Sequence, residues 1–412
     1  MESLGLICEW NPFHNGHAYL LEEARRKFPE AVIVAVMSGN FVQRGEPAII
    51  SKRARSETAL KQGADLVVEL PLWWATQAAD GFAKGAVSAL TGLDCQSLIF
   101  GVEDANFTDY INLAQWEAAH PKKFESYLQA SYQVSANMSY AERRHWALNQ
   151  AIVKENIVSA SQVDFQQKSN TLLAYAYIRE ASLAKQKIAY YPIQRIGAQH
   201  RQDDTDVNLG SNFMSGSQIR RSLIEESEVY RGKLPLALQM QLEKAPVLGG
   251  WTALYPYLRY RLLTTPISEL SDYYQVEEGI EYKMLAAAKQ ADNMTDFIGR
   301  CRNRNWSVSR LQRAALMLVL GVKKTSMAHY LAGPQPLNLL GMTSRGQSYL
   351  KTLNKATANS QWQLISRVNR QCEKMWPLWL NADRLYSLIM QTKDSENIGR
   401  QPIIIKKKET DK

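Results

Sequence analysis

Residues Leu4–Cys8 form a short apolar run closed by Asn11-Pro12, too short for a globular helix, so the pattern predicts a buried strand. From Gly16 onward the apolar positions take helical spacing, carrying Ala18, Leu21 and Ala24 toward one side. The run AVIVAVM at 31–37, then Asp65–Leu70 ending at Pro71, then Ser97–Phe100 ending in Gly101-Val102-Glu103, are further strand predictions. The unbroken apolarity of 31–37 fits a parallel strand covered on both faces better than a half-exposed one. A small-residue helix is predicted over Ala78–Leu90, so strands and helices alternate as in an α/β sheet. Between about Asp109 and Gln186 the pattern turns to long helices, with Ser139 a candidate cap beside Tyr140. A strand is expected over Ile188–Ile196, and mainly helices after Leu223, interrupted at Gly249-Gly250.

The junction of the first strand and helix carries His14-Asn15-Gly16-His17. A helix start presents unpaired N–H groups and the positive end of the helix dipole, which suits phosphate. Spaced i and i+3, both imidazoles can reach one bound group, and Gly16 allows close backbone approach. Surface histidines or metal ligands are the alternatives, although no Cys or carboxylate completes a local ligand set. Glycine-rich dinucleotide and P-loop patterns are absent. A second polar landmark spans 197–223: a loop with His200, Asp203 and Asp204 precedes Ser215-Gly216-Ser217-Gln218-Ile219-Arg220, a serine-capped helix start able to face an anion. Arg44, after the strand-end turn Ser38-Gly39-Asn40, and Lys52 or Arg53 are further anion candidates. Trp73 and Trp74 cap the sheet or shape an acceptor pocket, with core packing the default expectation.

With 412 residues, two or three domains are expected. The formal charge of +9 favours anionic partners, and 19 Tyr with 10 Trp offer stacking surfaces for unpaired bases. The most basic stretch of the body, 300–324, supplies Arg302, Arg304, Arg310 and Arg313 as phosphate contacts and Trp306 as a stacking ring. A solvated helix face is the alternative there. No transmembrane span or signal peptide is evident, and Cys8, Cys95, Cys301 and Cys372 are too scattered for a zinc site or disulfide framework. A cytoplasmic protein without a membrane partner is therefore expected.

The segment HNGH resembles the HxGH signature of the nucleotidyltransferase and class I aminoacyl-tRNA synthetase superfamily. The strings GLICEWNPFHNGHAYL, MSGNFVQRGEPAIISKRARSETAL and GADLVVELP, with matches continuing to about residue 350, resemble the bacterial tRNA(Met) cytidine acetate ligase family. That resemblance implies a Rossmann-like nucleotidyltransferase core over 1–222, with a helical insertion at about 109–186, and a mainly α-helical tRNA-binding region over 223–412. It implies His14 and His17 as catalytic phosphate contacts. ATP contacts would come from Ile7, Cys8, Glu9, Trp10, Asn11, Pro12, Phe13, Asn15, Gly16, Ala18, Tyr19 and Leu20 around them. Gly101, Asn170, Arg195 and Ile196 carry over as further nucleotide contacts, and Ser215, Ser217 and Arg220 as pyrophosphate contacts. The implied reaction joins ATP and acetate into acetyl-adenylate and transfers the acetyl group to N4 of the wobble cytidine of elongator tRNA(Met). Mg2+ is expected to shield the triphosphate, with ligands that are not readable, and no obligatory protein partner is inferred. A nucleotidyltransferase acting on a small cofactor precursor and a non-catalytic RNA-binding protein are the competing readings.

Overall fold

The apolar runs pair into a single sheet. A computed structural model describes residues 1–104, 107–135, 138, 140–157, 163, 165, 169–196, 212–353, 361–392 and 398–406. Its strands are β1 (Ser3–Cys8), β2 (Val32–Ser38), β3 (Leu66–Leu70), β4 (Ser97–Val102), β5 (Ala189–Gln194), β6 (Gln335–Thr343), β7 (Trp362–Ile365) and β8 (Ile403–Ile405). The spatial order is β5-β4-β1-β2-β3-β6-β7, with β8 also paired to β6. The first five strands run parallel, as the apolar run at 31–37 predicted for β2. All seven residues of β2 are buried. Val32, Val34 and Val36 enter the core on one face, and Ile33, Ala35 and Met37 enter that on the other.

Beyond residue 223 the chain is mostly helical, and its helices build a core of their own around Leu258, Met284, Phe297 and Leu311. It also returns to the sheet, which the sequence pattern did not predict: β6 runs antiparallel to β3, and β7 and β8 run parallel to β6. Pro336, Asn338 and Gly341 interrupt the apolar run of β6, so it lacks the signature of the other strands. Asn338 is nevertheless buried, because its amide donates to Glu69 Oε2 at 2.8 Å.

Helices Thr108–Ala119, Pro121–Val134, Tyr140–Glu155 and Ser169–Leu183 fill the predicted insertion. Buried Glu117 binds them together, accepting from Tyr175 at 2.5 Å and Arg144 at 2.8 Å. Trp73 and Trp74 are core residues, and both donate their indole N–H to Gln335 Oε1, at 2.6 and 2.8 Å, at the start of β6. Gly249 is required by a close approach: a Cβ there would sit 1.8 Å from the Ala48 carbonyl oxygen. The expected cap Ser139 and the loop residues His200, Asp203 and Asp204 lie outside the described residues.

Candidate active site

β1 ends at Cys8, and the helix Asn15–Lys27 begins immediately after His14, which is its N-cap. His14 Nδ1 accepts the Gly16 N–H at 3.1 Å, and His17 Nδ1 accepts the His14 N–H at 3.2 Å. The two rings stack with centroids 3.7 Å apart. Burial, assisted by Arg195 and Arg220, lowers the His14 pKa to about 3. Burial first, then His14 and Arg195, holds His17 well below the ordinary imidazole value. Both rings are therefore neutral near pH 7, with Nδ1 occupied as an acceptor, so each carries its proton on Nε2 and donates from there. Positive charge at this site comes from the arginines.

Asn11 is where the two helix-start motifs meet. Its side-chain oxygen accepts the Ile49 N–H at 2.7 Å, and its carbonyl accepts Arg220 Nη1 at 2.7 Å. A Cβ on Gly216 would lie 3.1 Å from that same carbonyl, so glycine lets the helix Gly216–Ile224 start directly against the loop. Ser215 caps this helix: its hydroxyl accepts the Gln218 N–H at 3.3 Å and lies 3.1 Å from the exposed Ser217 hydroxyl. Asn15 straps the first helix to the same region, donating to the Asn212 and Gly232 carbonyls at 3.0 and 2.9 Å. Its amide is thus committed to the protein rather than presented to a nucleotide.

Within Ile7–Leu20 the side chains divide. Trp10 and Phe13 are core residues, and Ile7, Cys8, Ala18, Tyr19 and Leu20 pack partly against the two cores. The side chains of Trp10 and Phe13 are therefore closed to a nucleotide. Phe13 instead supports His17, with ring centroids 5.6 Å apart. Arg195 follows β5 and lies across Gly101, where a Cβ would meet Arg195 Cγ at 3.3 Å, and Ile196 beside it is exposed. Asn170 donates to Glu103 Oε1 at 2.5 Å, and the Thr171 N–H donates to Glu103 Oε2 at 2.8 Å. The Glu103 carboxylate thus fills the start of the helix Ser169–Leu183 and fixes Asn170.

Lys52 is closed off from any phosphate, and Arg53 has a partner within the protein. Lys52 is buried, with Nζ 2.9 Å from Glu69 Oε1 and 2.7 Å from Asp383 Oδ1. Arg53 donates to the Gln401 carbonyl at 3.1 Å. Buried Arg55 gathers the carbonyls of Glu9, Ser38, Gly39 and Ile50, tying the ends of β1 and β2 together. Glu46, to which the sequence pattern assigned no role, has Oε2 3.2 Å from Arg220 Nη2, and Glu9, expected as a nucleotide contact, has Oε1 accepting the Gln43 N–H at 2.7 Å. Carboxylates are not expected beside phosphates, and no spacing in the chain links Glu46 to Arg220.

The basic stretch divides as well. Arg302 and Arg304 are exposed, and Arg310 is partly exposed, lying 3.8 Å above the Trp306 ring and 3.3 Å from Glu277. Trp306 itself is only 2% exposed, so it cannot serve as a stacking platform. Arg313 is 9% exposed and donates to Gln275 Oε1 at 3.2 Å; burial pushes its pKa down to about 10. It therefore belongs to an internal contact and not to an RNA-facing surface.

A family model of the HIGH nucleotidyl transferases matches residues 1–401, and the chain belongs to that family. Within it, the chain is homologous to tRNA(Met) cytidine acetate ligases. It is 36% identical over 406 residues to that of Levilactobacillus brevis, covering 98% of each chain. It is 32% identical over 422 residues to that of Bacillus subtilis, covering 98% of this chain and 97% of the relative. Thermotoga maritima TmcAL has a similar fold, at 27% identity, with 98% of this chain and 100% of that chain covered. The TM-score is 0.85 to its crystal structure bound with alpha-thio ATP and 0.87 to its apo form.

Proposed function

We propose that this chain activates acetate with ATP as acetyl-adenylate and transfers the acetyl group to N4 of the wobble cytidine of elongator tRNA(Met). The observation supporting this reading is the meeting of Arg220 and a second helix start at the Asn11 carbonyl, in the loop that carries the stacked rings of His14 and His17, in a chain homologous to ligases of that name. In the first step an acetate oxygen bonds to the α-phosphorus while its bond to the pyrophosphate oxygen breaks. His14 and His17 donate to phosphate oxygens whose charge grows, and Arg195 supplies fixed positive charge. Ser217 and the start of the helix Gly216–Ile224 face the departing pyrophosphate. In the second step the amine attacks the acetyl carbon and AMP leaves.

Mg2+ would accompany the triphosphate, but among the described residues no group of three or more His, Cys, Asp or Glu side chains gathers to hold it. No step is assigned to it. The test is incubation of purified protein with ATP, labelled acetate and tRNA(Met), omitting each in turn. ATP and acetate alone should give acetyl-adenylate, and all three should give N4-acetylcytidine. A stable nucleotide conjugate of another small molecule, formed without RNA, would favour the cofactor reading instead.

A further inference from the structure

The loop between β2 and the helix Lys52–Lys61 stands between the nucleotide-facing motifs and the C-terminal helices. It is closed on itself, with the Val42 N–H donating to the Glu46 carbonyl at 3.0 Å and the Gly45 N–H to the Val42 carbonyl at 2.7 Å. On one side Glu9 holds it, through the Gln43 N–H at 2.7 Å. On the other, Gly45, at φ +78, presses against the helix Val308–Leu320, where a Cβ would lie 3.0 Å from the Gln312 carbonyl oxygen. Arg44 is exposed on this loop. Glu46 is therefore held in place from both flanks.

A single guanidinium sets the location of the Glu46 carboxylate. Arg220 donates through Nη1 to the Asn11 carbonyl in the histidine loop, at 2.7 Å, and pairs through Nη2 with Glu46 Oε2, at 3.2 Å. The carboxylate thus stands one guanidinium away from the phosphate-facing loop, with Oε2 anchored. Its other oxygen, Oε1, takes no hydrogen bond from the described residues. Glu9 serves instead to hold the loop, its Oε1 accepting the Gln43 N–H at 2.7 Å.

An exocyclic amine conjugated to a pyrimidine ring is a weak nucleophile, so attack on an acyl carbon needs an acceptor for the proton it loses. A carboxylate oxygen is also the group that pairs with a cytosine N4 amine. We infer that Glu46 Oε1 receives the N4 proton of the acceptor cytidine during acetyl transfer, an inference that rests on the acetate-ligase reading above. The N4–carbon bond forms, the bond from the acetyl carbon to the AMP phosphate oxygen breaks, AMP leaves with that electron pair, and the proton passes to Glu46 and then to water. The surroundings suit this task. Burial pushes the Glu46 carboxyl up; Arg220 opposes that, Glu9 adds to it, and Arg44 opposes it. A raised carboxyl is a stronger base than a solvated one.

The test separates the two half-reactions in wild type, Glu46→Gln and Glu46→Asp. Stage one follows acetyl-adenylate formation from ATP and labelled acetate. Stage two follows single-turnover transfer from supplied acetyl-adenylate to a saturating tRNA(Met) transcript bearing the wobble cytidine. Glu46→Gln should keep stage one within about threefold and lose about 100-fold or more in stage two, with Glu46→Asp recovering part of the loss. Wild-type transfer should decline as pH falls and the carboxylate takes up a proton, whereas Glu46→Gln should lack that acid limb. Wild-type transfer by Glu46→Gln, equal losses in both stages, or a defect confined to tRNA affinity would each overturn the assignment. Failure of the wild type to form acetyl-adenylate would instead overturn the reading on which it rests.

Discussion

Replacing His14 by asparagine separates the two jobs of that residue. Asparagine is a good N-cap and can still accept an N–H of the first turn, so the helix Asn15–Lys27 keeps its start. It has no counterpart to the Nε2–H donor. The folded protein loses the 3.7 Å ring stack with His17, an aromatic contact worth about 0.5–1.5 kcal/mol. His14→Ala also loses the cap, a further loss of about 1 kcal/mol. Catalysis behaves differently. Loss of one prearranged donor to a developing phosphate charge costs about 2.7–4 kcal/mol, or about 10²–10³ in rate, and should be similar in both variants.

The assay is trapping of acetyl-adenylate from ATP and labelled acetate under single-turnover conditions, beside urea unfolding of each variant. The expected result is two variants of unequal stability and equal, strongly reduced adenylation. Near-wild-type adenylation by folded His14→Asn would refute the donor role. Equal stability of the Asn and Ala variants would refute the capping role.

Three further outcomes follow from the same contacts. His14 has a folded pKa of about 3 against an unfolded 6.5, so the unfolded chain binds the extra proton between those values. The stability present above about pH 6.5 should be lost as pH falls toward 3, by ~1.4 kcal/mol per pH unit from this ring, and His17 acts in the same direction. Urea midpoints at pH 7.5 and 5 should therefore converge in His14→Asn, and an unchanged difference would contradict the assignment. Lys52→Met leaves Glu69 and Asp383 buried without their ammonium and should destabilise the fold by about 3–5 kcal/mol, with part restored by adding Asp383→Asn, as measured by chemical denaturation. Arg310→Glu should weaken tRNA binding with a reduced salt dependence, whereas Arg313→Gln should act mainly on stability; equal salt-dependent effects in a filter-binding series would restore Arg313 to the RNA surface.

The local pattern was sufficient to locate β1 through β5, and for β2 it also gave the parallel, covered setting, because a continuous apolar run of strand length has few other ways to be buried. It was sufficient also for the two helix starts, since caps and turn residues act within a few positions of themselves: Ser215 caps as its place in the chain suggests, whereas capping by His14 emerged only from the structure. Contacts between distant segments left no such mark. Arg310 and Arg313 share a helical side by spacing, yet only the loop holding Gly45, packed against Gln312 and Arg313, decides which of them meets water. Lys52 reads as a surface cation until β3 and the C-terminal helix Pro377–Ile389 bring Glu69 and Asp383 to its ammonium. Asn338 hides a strand because its buried partner belongs to β3. The neutrality of the two histidines is likewise a tertiary result: the chain places them three residues apart, but burial beside Arg195 and Arg220 is what keeps the proton off their second nitrogens.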